Sequence, residues 1–358
     1  MMKYAPIEIP TLCRSKHFIR LIESLKRNAW AKYTDIYIGL DYPPEEKYRK
    51  GWSEICQYIE TGDFSIFASF NVVRREVNYG FFRNSKELID YIYEKYDRVI
   101  ELADDLEVSP NFIEYMDKCL DAFEDDSDVV TISGYAYDID WQISEGATCM
   151  KQDFNASEWG RASWKAKWRK YAPYIESGMM LDDLSQVIQN KTYLKMIDAC
   201  LREYIPAATS PRFYKTGMMR RCCDIAMRAY LAVEGKYCIS PVVSKVRNYG
   251  FDGSGLFCQG ISEFDNQTAL TYDYDNQLID DTVSFEVISN NEEYLDENRK
   301  RLNRFDMRTK AEMAKTWRLL WMINRFGIWA AKIYMLIDMP FDVMTRAWEK
   351  IRKKWNKV

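Results

Sequence analysis

The chain has 358 residues, 47% hydrophobic and 29% charged, which excludes a disordered polymer and suits one large α/β domain with extensions. Its formal net charge of −4 argues against a dedicated nucleic-acid binder, although residues 310–358 alone hold 11 Lys and Arg against 4 Asp and Glu. A single histidine, His17, rules out multi-histidine metal sites and leaves acid–base work to carboxylates; nine scattered cysteines with no C-x-x-C pair argue against a zinc site or a disulfide framework.

The N-terminal "MMKYAPIEIP" lacks the long apolar run of a secretory signal, and the cysteines fit reduced thiols, so a cytoplasmic setting is expected. "APIEIPTLC" reads as a first strand. "SKHFIRLIESLKRN" follows with apolar residues at 18, 19, 21, 22 and 25, the spacing of a helix face. "TDIYIGLDY" is a second strand, ending at Asp41 and stopped by Pro43 and Pro44. "SEICQYIE" is helical, "FSIFASFNV" a third strand, and "SKELIDYIYEKY" a helix with apolar positions 88, 89, 92 and 93. "RVIEL" is a fourth strand running into Asp104 and Asp105; "NFIEYMDKCLDAF" is another helix and "DVVTISGYAYD" a fifth strand.

Strands alternating with helices of this length predict a mostly parallel sheet wound on both faces. Such sheets bind ligands beyond the carboxyl ends of their strands. Thr11 to Arg14, Asp41 and the Asp104–Asp105 pair all fall at strand ends, so they can gather at one rim. Residues 150–260 are less regular, with "SEWGRASWKAKW", a helical stretch around 181–204 and the loop "RNYGFDGSG". Residues 260–300 are polar and acidic and read as surface, and from about 308 the chain reads as helix, interrupted at Pro340.

Two adjacent carboxylates repel and stay ionised together best beside a cation. A hard divalent ion takes oxygen ligands and shares a substrate's phosphates, which predicts a nucleoside diphosphate across the rim. The bland alternative is an exposed acidic pair placed before a helix for its dipole.

Five segments carry a resemblance. "ADDLEVSPNFIEYM" resembles the acidic signature of GT-A glycosyltransferases, a strand ending in E-D-D or D-x-D. "CRSKHFIRLIESL" is similar to that family's first turn and helix, and "YIGLDY" to its second strand. "EWGRASWKAKW" with "SKVRNYGFDGSG" resembles two motifs of bacterial family 2 relatives, including the N-acetylglucosaminyltransferase I type. Together they span about residues 5–260.

The resemblance implies a GT-A, Rossmann-like α/β fold over 1–260, with a nucleotide-binding half to about 135 and an acceptor half over 136–260. It places Arg14 at the donor diphosphate, Thr11 and Leu12 as backbone beside the base, and Asp41 at uracil. Asp104 would face the ribose or sugar, and Asp105 would hold Mn²⁺ or Mg²⁺. Ala103 departs from the pattern, since relatives often carry Glu there; Glu101 points the same way along the strand and Glu107 is near in sequence.

Inverting sugar transfer needs a carboxylate to take the acceptor proton. Asp224 in "RRCCDIAMRAYLAV" holds the position the resemblance assigns to that base; Asp182 and Asp183 are rivals that also read as a helix-start pair. Trp159 and Gly160 with Trp164 are expected near the donor sugar or acceptor, or else the two tryptophans anchor the core. Asp252 and Gly253 belong to a loop whose backbone can approach a sugar, or to an ordinary tight turn. His17 reads as a surface or helix-packing histidine.

In the tail, Arg318, Arg325 and Lys332 recur every seven residues among Trp, Leu, Ile, Met and Phe. Interrupting charges disqualify a spanning helix, but an interfacial helix on an anionic membrane fits, with Trp317, Trp321, Trp329, Trp348 and Trp355 at headgroup depth. Packing on the domain or on a second copy in a homo-oligomer is the alternative.

The sequence thus predicts a metal-dependent glycosyltransferase domain, a polar connecting segment over 261–307 and a basic aromatic helical tail over 308–358. Expected partners are a nucleotide-sugar donor, a saccharide or lipid-linked acceptor in surface polysaccharide synthesis, and the inner face of the membrane. A nucleotidylyltransferase would carry a Gly-rich first loop, which "TLCRSKHF" lacks; a non-catalytic scaffold of the same fold is the other rival, kept open by Ala103.

Overall fold

A computed structural model of the chain describes residues 2–153, 156–177, 234–255 and 279–305, with scattered positions among 227–231 and 318–334. Compactness divides the chain into two units, Met1–Ala172 with Glu234–Met307, and Pro173–Val233 with Arg308–Val358. The first unit contains all the strands described.

Its first half alternates as expected: β1 (Ile7–Thr11), α1 (Ser15–Lys26), β2 (Asp35–Leu40), α2 (Glu46–Thr61), β3 (Ser69–Arg74), α3 (Phe81–Ile92) and β4 (Arg98–Glu101). Then come β5 (Leu106–Val108), α4 (Phe112–Ala122), β6 (Val129–Ser133), β7 (Cys149–Gln152), β8 (Arg161–Trp164) and α5 (Lys165–Ser177). After Glu234 follow β9 (Tyr237–Pro241), β10 (Val246–Asn248) and α6 (Leu295–Phe305).

One eight-stranded sheet runs β3-β2-β1-β4-β8-β6-β9-β7, and β5 pairs with β10 in a separate two-stranded ribbon. Four of the seven neighbour pairs in the large sheet are parallel, and those involving β8 or β7 are antiparallel. The mixed α/β expectation holds, with one addition. The "RASW" of the tryptophan motif is strand β8, wedged between β4 and β6 and antiparallel to both.

Helices cover both faces. Phe18, Leu21, Ile22 and Leu25 of α1, Ile55 of α2 and Phe112, Met116 and Leu120 of α4 pack with Ile7, Ile9, Ile36, Ile38 and Ile100. Leu88, Ile89 and Ile92 of α3 pack on the other face against Tyr37 and Val99. Each of these Leu, Ile, Val, Met and Phe side chains contributes roughly 1.5–3 kcal/mol through burial. The third strand starts later than its aromatic run suggests. Phe64 stacks on Phe70 with centroids 4.0 Å apart, so "FSIF" folds back as a turn before Ser69.

Residues 279–305 lie largely at the surface, as expected, but are tied down by hydrogen bonds. Asn111 donates to Asp280, Thr282 and the Ser284 carbonyl, and Lys118 to the Phe285 carbonyl; Asn290 and Asn298 bond the backbone around Gln142 and Ser144. The segment is strapped to the first unit by side-chain-to-backbone hydrogen bonds, which no hydrophobic period reveals.

Candidate functional site

Strand register builds the rim. Glu8 of β1 lies opposite Glu101 of β4, so three residues further on Thr11 comes opposite Asp104. Leu40 of β2 lies opposite Thr11 on the other side, and the Asp41 amide donates to the Thr11 carbonyl at 2.9 Å. The rim is completed by the turn from Thr11 to Arg14. Gly51 of α2 packs directly on that turn; a Cβ there would lie 1.9 Å from the Cys13 carbonyl oxygen, so only glycine lets the helix approach. Leu12 is half-buried in this turn, and Arg14 is the N-cap residue of α1.

The Arg14 guanidinium bridges the two aspartates. Nη1 donates to Asp105 Oδ2 at 2.7 Å and Nη2 donates to Asp104 Oδ1. Thr11 Oγ1 donates to the other Asp104 oxygen at 2.8 Å. Asp105 Oδ1 is buried and has no hydrogen-bond partner. The bland reading of an exposed loop pair fails, because the Asp104 and Asp105 side chains are only 6% and 13% exposed. Burial raises the Asp104 carboxyl above the ordinary carboxylate range and the Asp105 charge adds to this, with Arg14 and Thr11 opposing. The same two aspartates hold the Arg14 proton more tightly than usual, against the cost of burial.

A second sequence-distant segment closes on the pair through the β5–β10 ribbon. Asn248 pairs with Leu106 directly after Asp105, and the Tyr249 amide donates to the Asp105 carbonyl at 2.9 Å. Gly250 then lies against the carboxylate, where a Cβ would come within 2.1 Å of Asp105 Oδ2. The loop beyond is held from α1: His17 Nε2 is 2.9 Å from Asp252 Oδ2, and the Arg20 guanidinium sits 3.9 Å over the Tyr249 ring. Tyr249 in turn donates to Glu107 at 2.9 Å. Asp252 also accepts from the Ser254 amide and hydroxyl; these bonds and His17 bring its carboxyl below the ordinary range although partial burial works against them.

Asp41 is at the rim, but its carboxylate is engaged. It accepts from the amides of Tyr42, Tyr79 and Gly80 and from Asn78 Nδ2, at 2.8–3.1 Å. Four donors match the acceptor capacity of a carboxylate. Asp41 therefore ties the start of α3 to the end of β2. Glu101 and Glu107 do not replace the glutamate missing at Ala103: Glu101 accepts from Arg161 at 2.5 Å, and Glu107 accepts from Arg27 and Tyr249.

Of the aromatic pair, Trp164 is a core anchor, buried and donating to the Leu120 carbonyl at 3.1 Å. Trp159 is half-buried and packs against the edge of the same core, 4.5 Å from Tyr135 and 5.7 Å from Phe251. Gly160 has φ +67° and a Cβ there would press on Phe112 and Val246, while Gly253, at φ +84°, turns the exposed loop after Asp252. Asp224, Asp182 and Asp183 lie outside the described residues, as does most of the 308–358 tail.

Among the described residues no group of three or more His, Cys, Asp or Glu is placed to hold a metal. The pair Asp104–Asp105 offers two carboxylates, and the unpartnered buried Asp105 oxygen is what a cation would satisfy. A magnesium-like ion held by one or two carboxylates, with water and substrate phosphates completing its shell, fits this donor set.

Sequence reasoning found Arg14 and the two aspartates but not the ribbon that carries Asn248 to Asp252 onto them, nor the His17–Asp252 contact. The only local signal for the ribbon is a three-residue segment on each side, too short to show a period.

No protein-family model matches the chain, and no curated protein matches it. Among solved structures it is similar to TarS 1–349 of S. aureus in complex with UDP-GlcNAc, at 13% identity over 48% of each chain and a TM-score of 0.33. It is also similar to the mannosyltransferase PcManGT of Pyrobaculum calidifontis in complex with GDP-Man and Mn²⁺, at 9% identity over 48% of this chain and 47% of that one, TM-score 0.33. A third is the glycosyltransferase GlyE of Streptococcus pneumoniae TIGR4, at 15% identity over 51% and 39%, TM-score 0.26. The chain spans less than half the length of each of these structures.

Proposed function

We propose that the chain is a metal-dependent inverting glycosyltransferase that moves a sugar from a nucleoside diphosphate sugar, a UDP-sugar, to a saccharide or lipid-linked saccharide. The observation that carries this reading is the buried Asp104–Asp105 pair at the carboxyl rim of a wound sheet, bridged by Arg14 and leaving one buried Asp105 oxygen without a partner. Arg14 alone leaves Asp105 Oδ1 unsatisfied, whereas a divalent ion with a diphosphate would satisfy it.

In this reading Asp105, with Asp104 beside it, would hold Mn²⁺ or Mg²⁺. When bound, such an ion supplies charge neutralisation to a departing diphosphate. Arg14 binds the diphosphate, the Thr11–Leu12 backbone lies beside the base, and Asp104 orients the ribose or sugar. Asp41 keeps its place on the base side, exchanging one of its loop donors for the uracil. Trp159 and the loop at Asp252 and Gly253 form the sugar or acceptor side, and Gly160 keeps the Trp159 turn close to α4. Asp224 is kept as the base that takes the acceptor proton. The reading places the enzyme on the inner membrane face, through the exposed Trp321, Phe326, Trp329 and Ile333 and the basic residues among them. Among the described residues no helix is long and apolar enough to cross a membrane.

The test is calorimetric titration of UDP in the presence and absence of Mn²⁺. Asp105→Asn is expected to weaken Mn²⁺-dependent UDP binding by at least about tenfold, about 1.4 kcal/mol. Equal binding by the variant and the wild type would remove the reading.

A further inference from the structure

We propose that Arg14 is a tethered cation that competes with the divalent ion for the Asp104–Asp105 pair, so the ion is admitted only together with a diphosphate that draws Arg14 away. This rests on the nucleotide-sugar reading above and assigns its site an order of assembly.

Count the four carboxylate oxygens. Arg14 takes one from each aspartate and Thr11 takes a third, so a bare ion entering the pair meets one oxygen, Asp105 Oδ1, that is without a partner. No third carboxylate, thiolate or imidazole among the described residues completes a ligand set. An ion arriving alone must therefore either sit beside a fixed guanidinium, a like charge within a few ångströms, or displace it. Displacement strands Arg14, whose side chain is 20% exposed, without its anions, and a mostly buried unpaired cation is costly.

A diphosphate removes both obstacles at once. It gives the guanidinium a new anion of matching fork geometry and gives the ion the oxygen ligands that the protein lacks. The two bindings are then coupled, and the coupling is reciprocal: nucleotide tightens metal by the factor that metal tightens nucleotide. The turn geometry suits the exchange. Arg14 sits at the N-cap, where β1 has ended and α1 has not begun, so its side chain can swing without disturbing either ladder.

The experiment is Mn²⁺ binding to the full chain without nucleotide, read by electron paramagnetic resonance of free Mn²⁺, with UDP titrated into parallel samples. Arg14→Met is expected to bind free Mn²⁺ about tenfold tighter or more than wild type, while its UDP–Mn²⁺ coupling factor falls below that of wild type and keeps only the part that the diphosphate oxygens supply. Arg14→Gln should behave alike and serves if Arg14→Met does not fold; Arg14→Lys, which keeps a cation, should bind free Mn²⁺ within about threefold of wild type. Free-Mn²⁺ affinity unchanged or weakened in the neutral variants overturns the exchange, whatever UDP does. Absence of UDP binding by wild type with Mn²⁺ sinks the nucleotide reading instead, whatever the variants do with free metal.

Discussion

Gly250 lies so near Asp105 that its missing side chain is part of the site. A methyl group placed 2.1 Å from Asp105 Oδ2 overlaps it by more than an ångström, and the carboxylate must turn or the ribbon must shift. Gly250→Ala is therefore expected to lower Mn²⁺-dependent UDP affinity about as much as Asp105→Asn, with a fall of only a few degrees in melting temperature. Calorimetry and a thermal melt on one preparation check this; native affinity in the alanine variant would show that the contact has no bearing on the site. At this scale the sequence was informative where chemistry is written into adjacent letters. Two consecutive aspartates after an apolar strand, and an arginine in the turn after another, were legible. Asp41 was legible as a rim acid but not as the anchor of three backbone amides. Its four partners include residues 78–80, and that closure is made by the fold.

Among elements, β8 is the decisive addition. It places Arg161 opposite Glu101, which in turn lies opposite Glu8, so three ionisable side chains run in a row across β1, β4 and β8. Glu8 is buried, and burial reinforced by Glu101 raises its carboxyl well above the ordinary range, with Arg161 opposing. Arg161, itself 3% exposed, answers Glu101 at 2.5 Å and Glu158 at 2.9 Å. Arg161→Met removes the cation and leaves Glu101 in the sheet without its charge partner. The expected cost is about 3–5 kcal/mol. It would be read as a lower urea midpoint at unchanged slope, and a midpoint equal to wild type would refute it. The strand is not legible because "RASW" alternates over only four residues, too few to show a period; it is a strand because it pairs with β4 on one side and β6 on the other. The ribbon of β5 and β10 escaped for the same reason. The long periodic elements α1, β2 and α3 were legible, since their apolar spacing reflects the faces they bury.

For the molecule as a whole, the tail raises the question of what its exposed aromatics meet. Trp321, Phe326, Trp329 and Ile333 are 56–73% exposed, interleaved with Arg318 and Arg325. Residues 308–358 share a compact unit with 173–233, so deleting the tail would break that unit, and point changes are the cleaner probe. The full chain is expected to float with vesicles containing anionic phospholipid and not with neutral ones, and Trp321→Ser with Trp329→Ser should abolish flotation; sedimentation of wild type with both vesicle types would exclude a membrane partner. The boundary of the units was itself hidden from the sequence: residues 279–305 look like a polar connector, yet asparagine and lysine side chains strap them to the first unit. The sequence alone determined the alternating α/β order, the rim on which Thr11, Arg14, Asp41 and Asp104–Asp105 fall, and the basic aromatic tail, because each is a pattern among near neighbours in the chain. Only the tertiary structure decided that β8 enters the sheet, that Gly250 and Asp252 close on Asp105 and His17, and that Arg14 holds both aspartates. Those contacts join residues up to 235 positions apart, and they exist only once packing has brought the strands into register.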